Sequence, residues 1–178
     1  MTKMKIGEIL ITEKELTEYV DALAERINND YGEGELVVVG ILKGCFVFVS
    51  DLVRRLKSDV SVYFMEISSY GNGTESTGNL IIKKDLDVNI EGKDVLIAED
   101  IIDSGNTLSK LVPMLKERNP KSVKVCALLS KPSRRQVPFE ADYTGVEIPD
   151  RFIIGYGLDC GERFRQLPYI AEVEFVEE

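Results

Sequence analysis

The sequence predicts an α/β protein with an open, mainly parallel, twisted sheet that is flanked by helices. Strand-like and helix-like patterns alternate along the 178 residues, as they do where helices connect parallel strands. Residues 36–42 form a continuous apolar run, which is typical of a strand buried on both faces. The length and the 44% content of hydrophobic residues suit one core, so we expect a single domain over residues 1–178.

Two helices are predicted in the first third of the chain. Thr12 and Glu15 have the spacing of a capping box, so the first helix should begin at Thr12. The turn-forming cluster 28–32 should end this helix. A helical period of apolar residues predicts the second helix over 46–56.

The rest of the chain continues the same alternation. A third helix is predicted over 107–118, where Pro113 should kink or shorten it. Residues 68–79 are polar and glycine-rich, which predicts a mobile loop. The remaining predicted strands are 60–67, 80–84, 95–98, 123–129 and 151–155.

Composition narrows the class of protein. The three cysteines are far apart and form no C-x-x-C pair, which argues against a zinc site or a disulfide framework and suits a reducing cytosol. Because the chain has no histidine, proton transfer would fall to Asp, Glu, Lys or Tyr. The net charge of −9 argues against a nucleic-acid-binding face. No apolar run approaches the roughly 20 residues of a membrane span, and the N-terminus lacks a signal peptide's apolar region. We therefore expect a cytoplasmic protein that binds neither nucleic acid nor membranes.

The strongest functional signal is the segment 95–108, VLIAEDIIDSGNTL. A buried strand leads to two acids, and a short glycine-containing turn then opens a helix. Such a turn directs backbone N–H groups and the positive end of the helix dipole to one point, which predicts an anion site over 103–107. Glu99 and Asp100 precede the turn, where they could hold a metal ion or sugar hydroxyls. The P-loop pattern and the G-x-G-x-x-G fingerprint are both absent.

This segment resembles the phosphoribosyl pyrophosphate signature of type I phosphoribosyltransferases, and EDIIDSG is similar to the hypoxanthine-guanine branch in particular. The resemblance extends from about Ile6 to the C-terminus. It implies the type I phosphoribosyltransferase fold with a small hood region. It also implies a purine-salvage transferase that uses phosphoribosyl pyrophosphate, hypoxanthine and guanine, with Mg²⁺ as cofactor, and that forms a homodimer or homotetramer.

The resemblance assigns the donor substrate to residues that follow the strand ends. Asp103 would act as the general base at purine N7. The phosphoribosyl group would be bound by Glu99, Asp100, Asp103, Ser104, Gly105, Asn106 and Thr107. Pyrophosphate would be bound by Lys43, Gly44 and Arg165, the first two through an unusual peptide bond. Ser69 and Tyr70 would open the predicted loop as a lid.

The resemblance also assigns the purine site. Lys131 would donate to the purine 6-oxo group, which selects an acceptor over the amino group of adenine. Phe152 would stack on the ring, while backbone groups of Phe152 and Ile153 read its edge. Asp159 would receive the guanine 2-amino group, and the metal ligands would be Glu99, Asp100 and Asp159. Arg135 is either a further binding cation or a solvated side chain.

Two other functions remain open from the sequence. A sister enzyme that prefers xanthine would carry the same lysine and aspartate. A nucleotide-sensing, RNA-binding regulator on the same fold would need a basic face, and the pI near 4.7 and the retained Asp103 count against it. A generic Rossmann binding module is the weakest alternative, since its glycine fingerprint is missing.

Overall fold

The computed structural model of the protein describes residues 2–69 and 80–177. These residues form nine β-strands and three α-helices. In chain order the elements are β1 (Thr2–Ile11), α1 (Glu13–Tyr31), β2 (Glu35–Leu42), α2 (Phe46–Val53), β3 (Asp59–Ser69), β4 (Leu80–Lys84), β5 (Asp94–Ile102), α3 (Asn106–Lys116), β6 (Ser122–Ser130), β7 (Tyr143–Glu147), β8 (Ile153–Ile154) and β9 (Ile170–Glu177). None of these three helices combines the length and the apolarity that crossing a membrane requires.

The central sheet has six strands in the order β4-β3-β2-β5-β6-β7. Five of these strands are parallel to one another: β3, β2, β5, β6 and β7. The sixth, β4, pairs antiparallel with β3 at one edge. The prediction of an open, mainly parallel α/β sheet is therefore confirmed. From β2 the chain moves outward to β3 and later returns to form β5 on the other side of β2. Such a reversal leaves a crevice at the carboxyl ends of the two strands, where ligands of this fold class bind.

Helices cover both faces of the central sheet. α1 and α2 pack on one face, where Leu23 and Phe48 are buried together with Val38 of β2. α3 packs on the other face, where Leu111 is buried with Val39. Successive residues of β2 thus enter opposite cores, as the alternation of strand side chains requires. This packing explains why the predicted strand 36–42 is apolar at every position.

A second, smaller sheet pairs the two ends of the described chain. Its order is β1-β9-β8, and both pairs are antiparallel. We call these three strands the hood sheet. Ile154 and Val173 lie in its own small apolar cluster. Since β8 is an edge strand here, the segment around Phe152 and Ile153 lies on the open side of the hood sheet.

Several boundaries predicted from the sequence are wrong. The predicted turn cluster 28–32 continues α1 as far as Tyr31, because the Asn28 side chain bonds across to Arg55 O and Lys57 N instead of ending the helix. Gly32, with φ +60°, follows the helix in the left-handed region that favours glycine. The capping box at Thr12 and Glu15 is present as predicted.

The later predicted elements also change length. β5 continues past the expected residue 98 because its pairing with β6 extends to Ile102↔Ser130. The strand expected over 151–155 is reduced to β8, and α2 ends at Val53. Pro113 lies inside α3, which ends at Lys116. β1, β7 and β9 had no counterpart in the sequence-based assignment.

The predicted mobile loop 68–79 begins too early. Ser68 and Ser69 belong to β3, where they pair with Ile81 and Leu80. The remainder of that loop, including Tyr70, lies outside the described residues. The prediction of a lid therefore rests on the sequence.

Candidate active site

The residues predicted from the sequence meet at the carboxyl edge of the central sheet. Lys43 follows β2, Asp103 follows β5, and Lys131 follows β6. These three strands are parallel neighbours, so their carboxyl ends lie side by side. The crevice expected at the β2/β5 reversal thus contains the candidate side chains.

The turn formed by residues 103–107, here called the phosphate turn, opens α3. Gly105 has φ +79°, and a Cβ there would lie 3.1 Å from Phe139 Cβ, so both conformation and space favour glycine. The Asn106 N–H donates to Ser104 Oγ at 3.3 Å. The N-cap residue Gly105 has no side chain to cap α3, which leaves further N–H groups of the first turn available to an anion. A cavity of about 100 Å³, the turn cavity, lies here, and it is lined by Glu99, Ile101, Ile102, Asp103, Ser104, Gly105, Thr107 and Leu108.

Glu99 and Asp100 project to opposite sides of β5. Glu99 lines the turn cavity, whereas Asp100 lies against the loop after β2, where a Cβ on Gly44 would be 1.7 Å from its Oδ2. Burial raises the pKa of both carboxyls, and the charge of Asp100 raises the pKa of Glu99 further. Glu99 Oε2 is buried without a hydrogen-bond partner among the described residues. A buried carboxylate oxygen in that state is costly, and a bound cation would satisfy it.

The loop after β2 contains Lys43, one of the two cations predicted to bind pyrophosphate. The Leu42–Lys43 peptide bond is cis, which is the unusual bond expected at this loop. Lys43 Nζ donates to both carboxylate oxygens of Glu162 at 3.1 Å. Arg165 Nη2 lies 3.3 Å from the same carboxylate. The structure therefore brings Lys43 and Arg165 to one place, with Glu162 between them.

A second loop packs closely on this one. Gly157 has φ +102°, and a Cβ added to this residue would lie 2.0 Å from Gly44 O. Arg165 stabilises the loop that contains Gly157, because its Nη1 donates a hydrogen bond to Gly157 O at 2.8 Å. The loop that contains Asp159 and the loop that contains Lys43 and Gly44 are thus in direct backbone contact.

A cavity of about 260 Å³, here called the lysine cavity, lies beside the phosphate turn. It is lined by Ile101, Asp103, Lys131, Arg134, Arg151, Phe152, Ile153 and Leu158. Lys131 is 6% exposed, donates from Nζ to Arg151 O at 2.7 Å, and lies 3.6 Å from Asp103 Oδ1. An ammonium group has three donors, so one remains for a ligand. Asp103 lines both the turn cavity and the lysine cavity.

The hood sheet provides the opposite side of the lysine cavity. The Phe152 ring is 55% exposed and meets the Phe175 ring edge-on, with centroids 6.2 Å apart. Phe152 O accepts a hydrogen bond from Val173 N at 3.0 Å. Because antiparallel pairs alternate, the N–H and C=O of Ile153 then point away from β9 to the open edge. The backbone of Ile153 is therefore better placed than that of Phe152 to read a ligand edge, and the Ile153 side chain is buried.

Asp159 lies apart from the lysine cavity. Its Oδ1 is 2.9 Å from Arg165 Nη2, and its Oδ2 accepts a hydrogen bond from Glu162 N at 2.7 Å. Neither of the two cavities is lined by Asp159, whereas Leu158 lines the lysine cavity. The structure thus groups Asp159 with Arg165, and its contact with a guanine amino group stays a prediction.

Several residues of the site were not singled out by sequence reasoning. Arg134 and Arg151 line the lysine cavity, and Glu162 joins Lys43 and Arg165. Arg135, for which the sequence left two roles open, is a partly buried residue whose side chain is 10% exposed and binds backbone carbonyls. The sequence gives only a weak signal for Arg134, Arg151 and Glu162, since charged residues near loops are usually solvated.

The fold and site together define the class of protein. The chain belongs to the phosphoribosyl transferase domain family, whose sequence profile matches residues 7–160. It is 46% identical over 170 residues to the hypoxanthine-guanine phosphoribosyltransferase of Bacillus subtilis, a match that covers 96% of this chain and 94% of that protein. It is 47% identical over 173 residues to the hypoxanthine phosphoribosyltransferase of Escherichia coli K12, covering 96% and 97% of the two chains.

Solved structures give the same result. A hypoxanthine-guanine phosphoribosyltransferase from Bacillus anthracis superposes with a TM-score of 0.90 at 46% identity, covering 97% of this chain and 100% of that chain.

The protein is also 50% identical over 165 residues to the bifunctional protein TilS/HprT of Listeria monocytogenes. That match covers 93% of this chain but 26% of the Listeria protein, so the chain spans about a quarter of that relative's length.

Proposed function

We propose that this protein transfers the 5-phosphoribosyl group of phosphoribosyl pyrophosphate to hypoxanthine or guanine in purine salvage, giving IMP or GMP and pyrophosphate. The observation that carries the proposal is the position of Asp103, which lines both the turn cavity and the lysine cavity. A sugar phosphate held at the phosphate turn would face a base in the lysine cavity across this carboxylate. The names of the relatives support the same reaction. We further propose a cytoplasmic homodimer or homotetramer.

The donor substrate would bind across the crevice. The 5-phosphate would accept hydrogen bonds from the N–H groups of the phosphate turn, from Ser104 to Thr107, and the Thr107 hydroxyl would add another donor. Pyrophosphate would replace the Glu162 carboxylate on Lys43 and Arg165, whose guanidinium fork suits phosphate oxygens. The N–H of Gly44 and the proposed lid at Ser69 and Tyr70 would complete this side, the lid by excluding water.

The reaction would pass through an oxocarbenium-like state at the anomeric carbon, comparable to glycoside chemistry. The carboxylates of Glu99 and Asp100 would lie near the cationic sugar and its diol. Asp103 would accept the proton of purine N7 as the general base, within reach of the Lys131 ammonium 3.6 Å away. Phe152 would stack on the ring, and Ile153 would read its edge through the backbone.

The Mg²⁺ that the family implies fits the donors present. Mg²⁺ sites of this kind use one or two carboxylates together with substrate phosphates, and Glu99 Oε2 has no partner among the described residues. Those residues hold no cluster of three or more acidic, cysteine or histidine side chains that would form a metal site alone. When bound, the ion would neutralise charge on the leaving pyrophosphate. A role for Asp159 with a second ion would compete with its ion pair to Arg165.

Turnover should therefore require a divalent metal. We expect activity to fall to background in excess EDTA, because the donor substrate would lose its link to Glu99 and Asp100, and to return when Mg²⁺ is added. A parallel reaction with EDTA saturated by Mg²⁺ controls for inhibition by the chelator itself. Full turnover in excess EDTA would contradict the metal proposal.

Base choice should follow from Lys131, which offers donors and no acceptor. Adenine presents an amino group at position 6 and would leave the free donor of the buried ammonium, which also binds Arg151 O, without an acceptor. We expect kcat/KM for adenine to be lower than for hypoxanthine by about 10²-fold. Lys131→Gln, whose amide both donates and accepts, should narrow this ratio. Equal kcat/KM for adenine and hypoxanthine in the wild-type enzyme would refute the assignment of Lys131.

One assay tests the whole proposal and its nearest rival. Hypoxanthine, guanine, xanthine and adenine are each mixed with phosphoribosyl pyrophosphate, Mg²⁺ and enzyme, and nucleotide formation is followed by absorbance. The proposal predicts turnover of hypoxanthine and guanine, whereas the sister enzyme would prefer xanthine. No turnover of any base, combined with RNA binding at physiological salt, would favour the regulator instead.

A further inference from the structure

We infer that Arg135 is a positioning residue that holds the phosphate turn and Lys131 in a fixed relation, and that its charge strengthens the anion site; the inference rests on the proposed function. The side chain lies behind the phosphate turn, at the ends of β5 and β6. Arg135 itself lines neither of the two cavities, although it binds the backbone of residues that do. Its influence would therefore act through the backbone that it binds.

The Arg135 guanidinium joins two adjacent strand ends. Nη1 donates to Ile102 O at 2.7 Å and to Asp103 O at 2.6 Å, where β5 ends and the phosphate turn begins. The same nitrogen lies 3.3 Å from Lys131 O, and Nη2 donates to Ser130 Oγ at 2.7 Å, at the end of β6. The backbone ladder between β5 and β6 ends at Ile102↔Ser130. The guanidinium thus continues the connection where the sheet stops.

This connection spans the two groups that would act on the purine. Asp103 is the proposed general base and Lys131 the proposed donor to the 6-oxo group, and their side chains are 3.6 Å apart. Each follows one of the strands that Arg135 joins. A base bound to both needs their spacing to be constant, and an error of about 1 Å in such an arrangement costs on the order of 10²-fold in rate.

The charge of Arg135 has a separate effect. The side chain is 10% exposed and binds backbone carbonyls, which do not neutralise it. Among the described residues, the one carboxylate within ion-pair distance is that of Glu140, at 3.8 Å and largely exposed. The stem packs under the phosphate turn, where a Cβ on Gly105 would lie 3.6 Å from Arg135 Cδ. A partly buried cation directly behind the turn adds to the positive potential of the α3 N-terminus.

Geometry and charge can be separated by substitution. Lysine keeps the charge but lacks the rigid, five-donor fork that reaches carbonyls on both strands. Arg135→Lys should therefore lower kcat by about 10²-fold and leave the Kd for ribose 5-phosphate within about threefold. Arg135→Met should lower kcat similarly and also weaken ribose 5-phosphate binding by on the order of tenfold. Arg118→Met, which removes a partly exposed arginine paired with Asp85, is the matched control and should change neither quantity.

The measurements are kcat and KM for hypoxanthine, the Kd for ribose 5-phosphate by calorimetry, and the thermal midpoint of each variant. Ser130→Ala removes one hydrogen-bond partner of the guanidinium and keeps the charge, and it should also lower kcat. This variant tests the inference if an Arg135 variant does not fold. Lower thermal midpoints with unchanged kcat in the folded enzyme would overturn the inference. Ribose 5-phosphate binding involves no base, so a wild-type enzyme that binds it but turns over no purine would refute the proposed function separately.

Discussion

Replacing Asp103 with asparagine is expected to lower kcat by about 10²–10⁴-fold, the range typical of general acid–base groups. Asparagine keeps the shape of the side chain and an oxygen that can accept from Lys131, but it loses the charge and the basicity. The side chain is not needed to form the phosphate turn, whose N–H groups come from the backbone. The Kd of phosphoribosyl pyrophosphate should therefore change little, because the substitution removes an interaction of the transition state.

A comparison with Asp100→Asn tests whether the effect on kcat is specific to Asp103. Asp100 is buried against Gly44, on the pyrophosphate side, so Asp100→Asn should mainly weaken donor binding. Calorimetry gives the donor Kd, and single-turnover kinetics gives the chemical rate. Asp85→Asn is the control, because Asp85 is as exposed as Asp103 (48% against 49%) and also pairs with a cation, yet lies outside the two cavities. A wild-type chemical rate for Asp103→Asn would contradict the assignment of Asp103 as the general base.

Replacing Gly44 with alanine should be nearly as damaging as the loss of the proposed general base, Asp103. The new Cβ would lie 1.7 Å from Asp100 Oδ2, so the loop or the buried carboxylate must move by about 1 Å or more. Either movement would displace Lys43 and the Gly44 N–H from the proposed pyrophosphate site, and Gly157, packed on Gly44 O, leaves little room behind. We expect kcat/KM to fall by about 10²-fold or more.

Gly34→Ala is the matched control for this substitution. Its new Cβ would meet only Tyr31 O, at 3.4 Å, in the connection between α1 and β2 at the opposite end of the sheet. Steady-state kinetics and circular dichroism of both variants should separate a local effect on the loop from a general loss of structure. Gly44→Ala that keeps wild-type kcat/KM would show that the loop accommodates a side chain.

Five of the six strands of the central sheet could be predicted from the sequence because each has a local signal, and β7 was not predicted. The capping box at Thr12 and the apolar run that became β2 depend on neighbouring residues alone. β1 and β9 have weaker signals, since they pair across nearly the whole described chain and their register shifts twice between Ile6 and Ile11. Such shifts interrupt the alternation of apolar and polar residues from which strands are predicted.

The site could be predicted where its residues follow a motif, and not where they meet only in space. Lys43, Asp103 and Lys131 each follow a strand, so the parallel order brings them together. Glu162 reaches Lys43 only because two glycines let their loops touch. The sequence alone suggests that Arg135 is a surface residue, because its partners meet only when β5 and β6 are adjacent. Contacts that form at the ends of paired strands therefore cannot be predicted from a local sequence pattern.

The hood sheet has a consequence for protein synthesis. β8, the short strand next to Phe152, is paired with β9 alone, which the ribosome makes after every other strand described here. A nascent chain can complete its central sheet and phosphate turn while β8 still lacks a partner. Competence to hold a sugar phosphate should therefore precede, during translation, competence to recognise a purine.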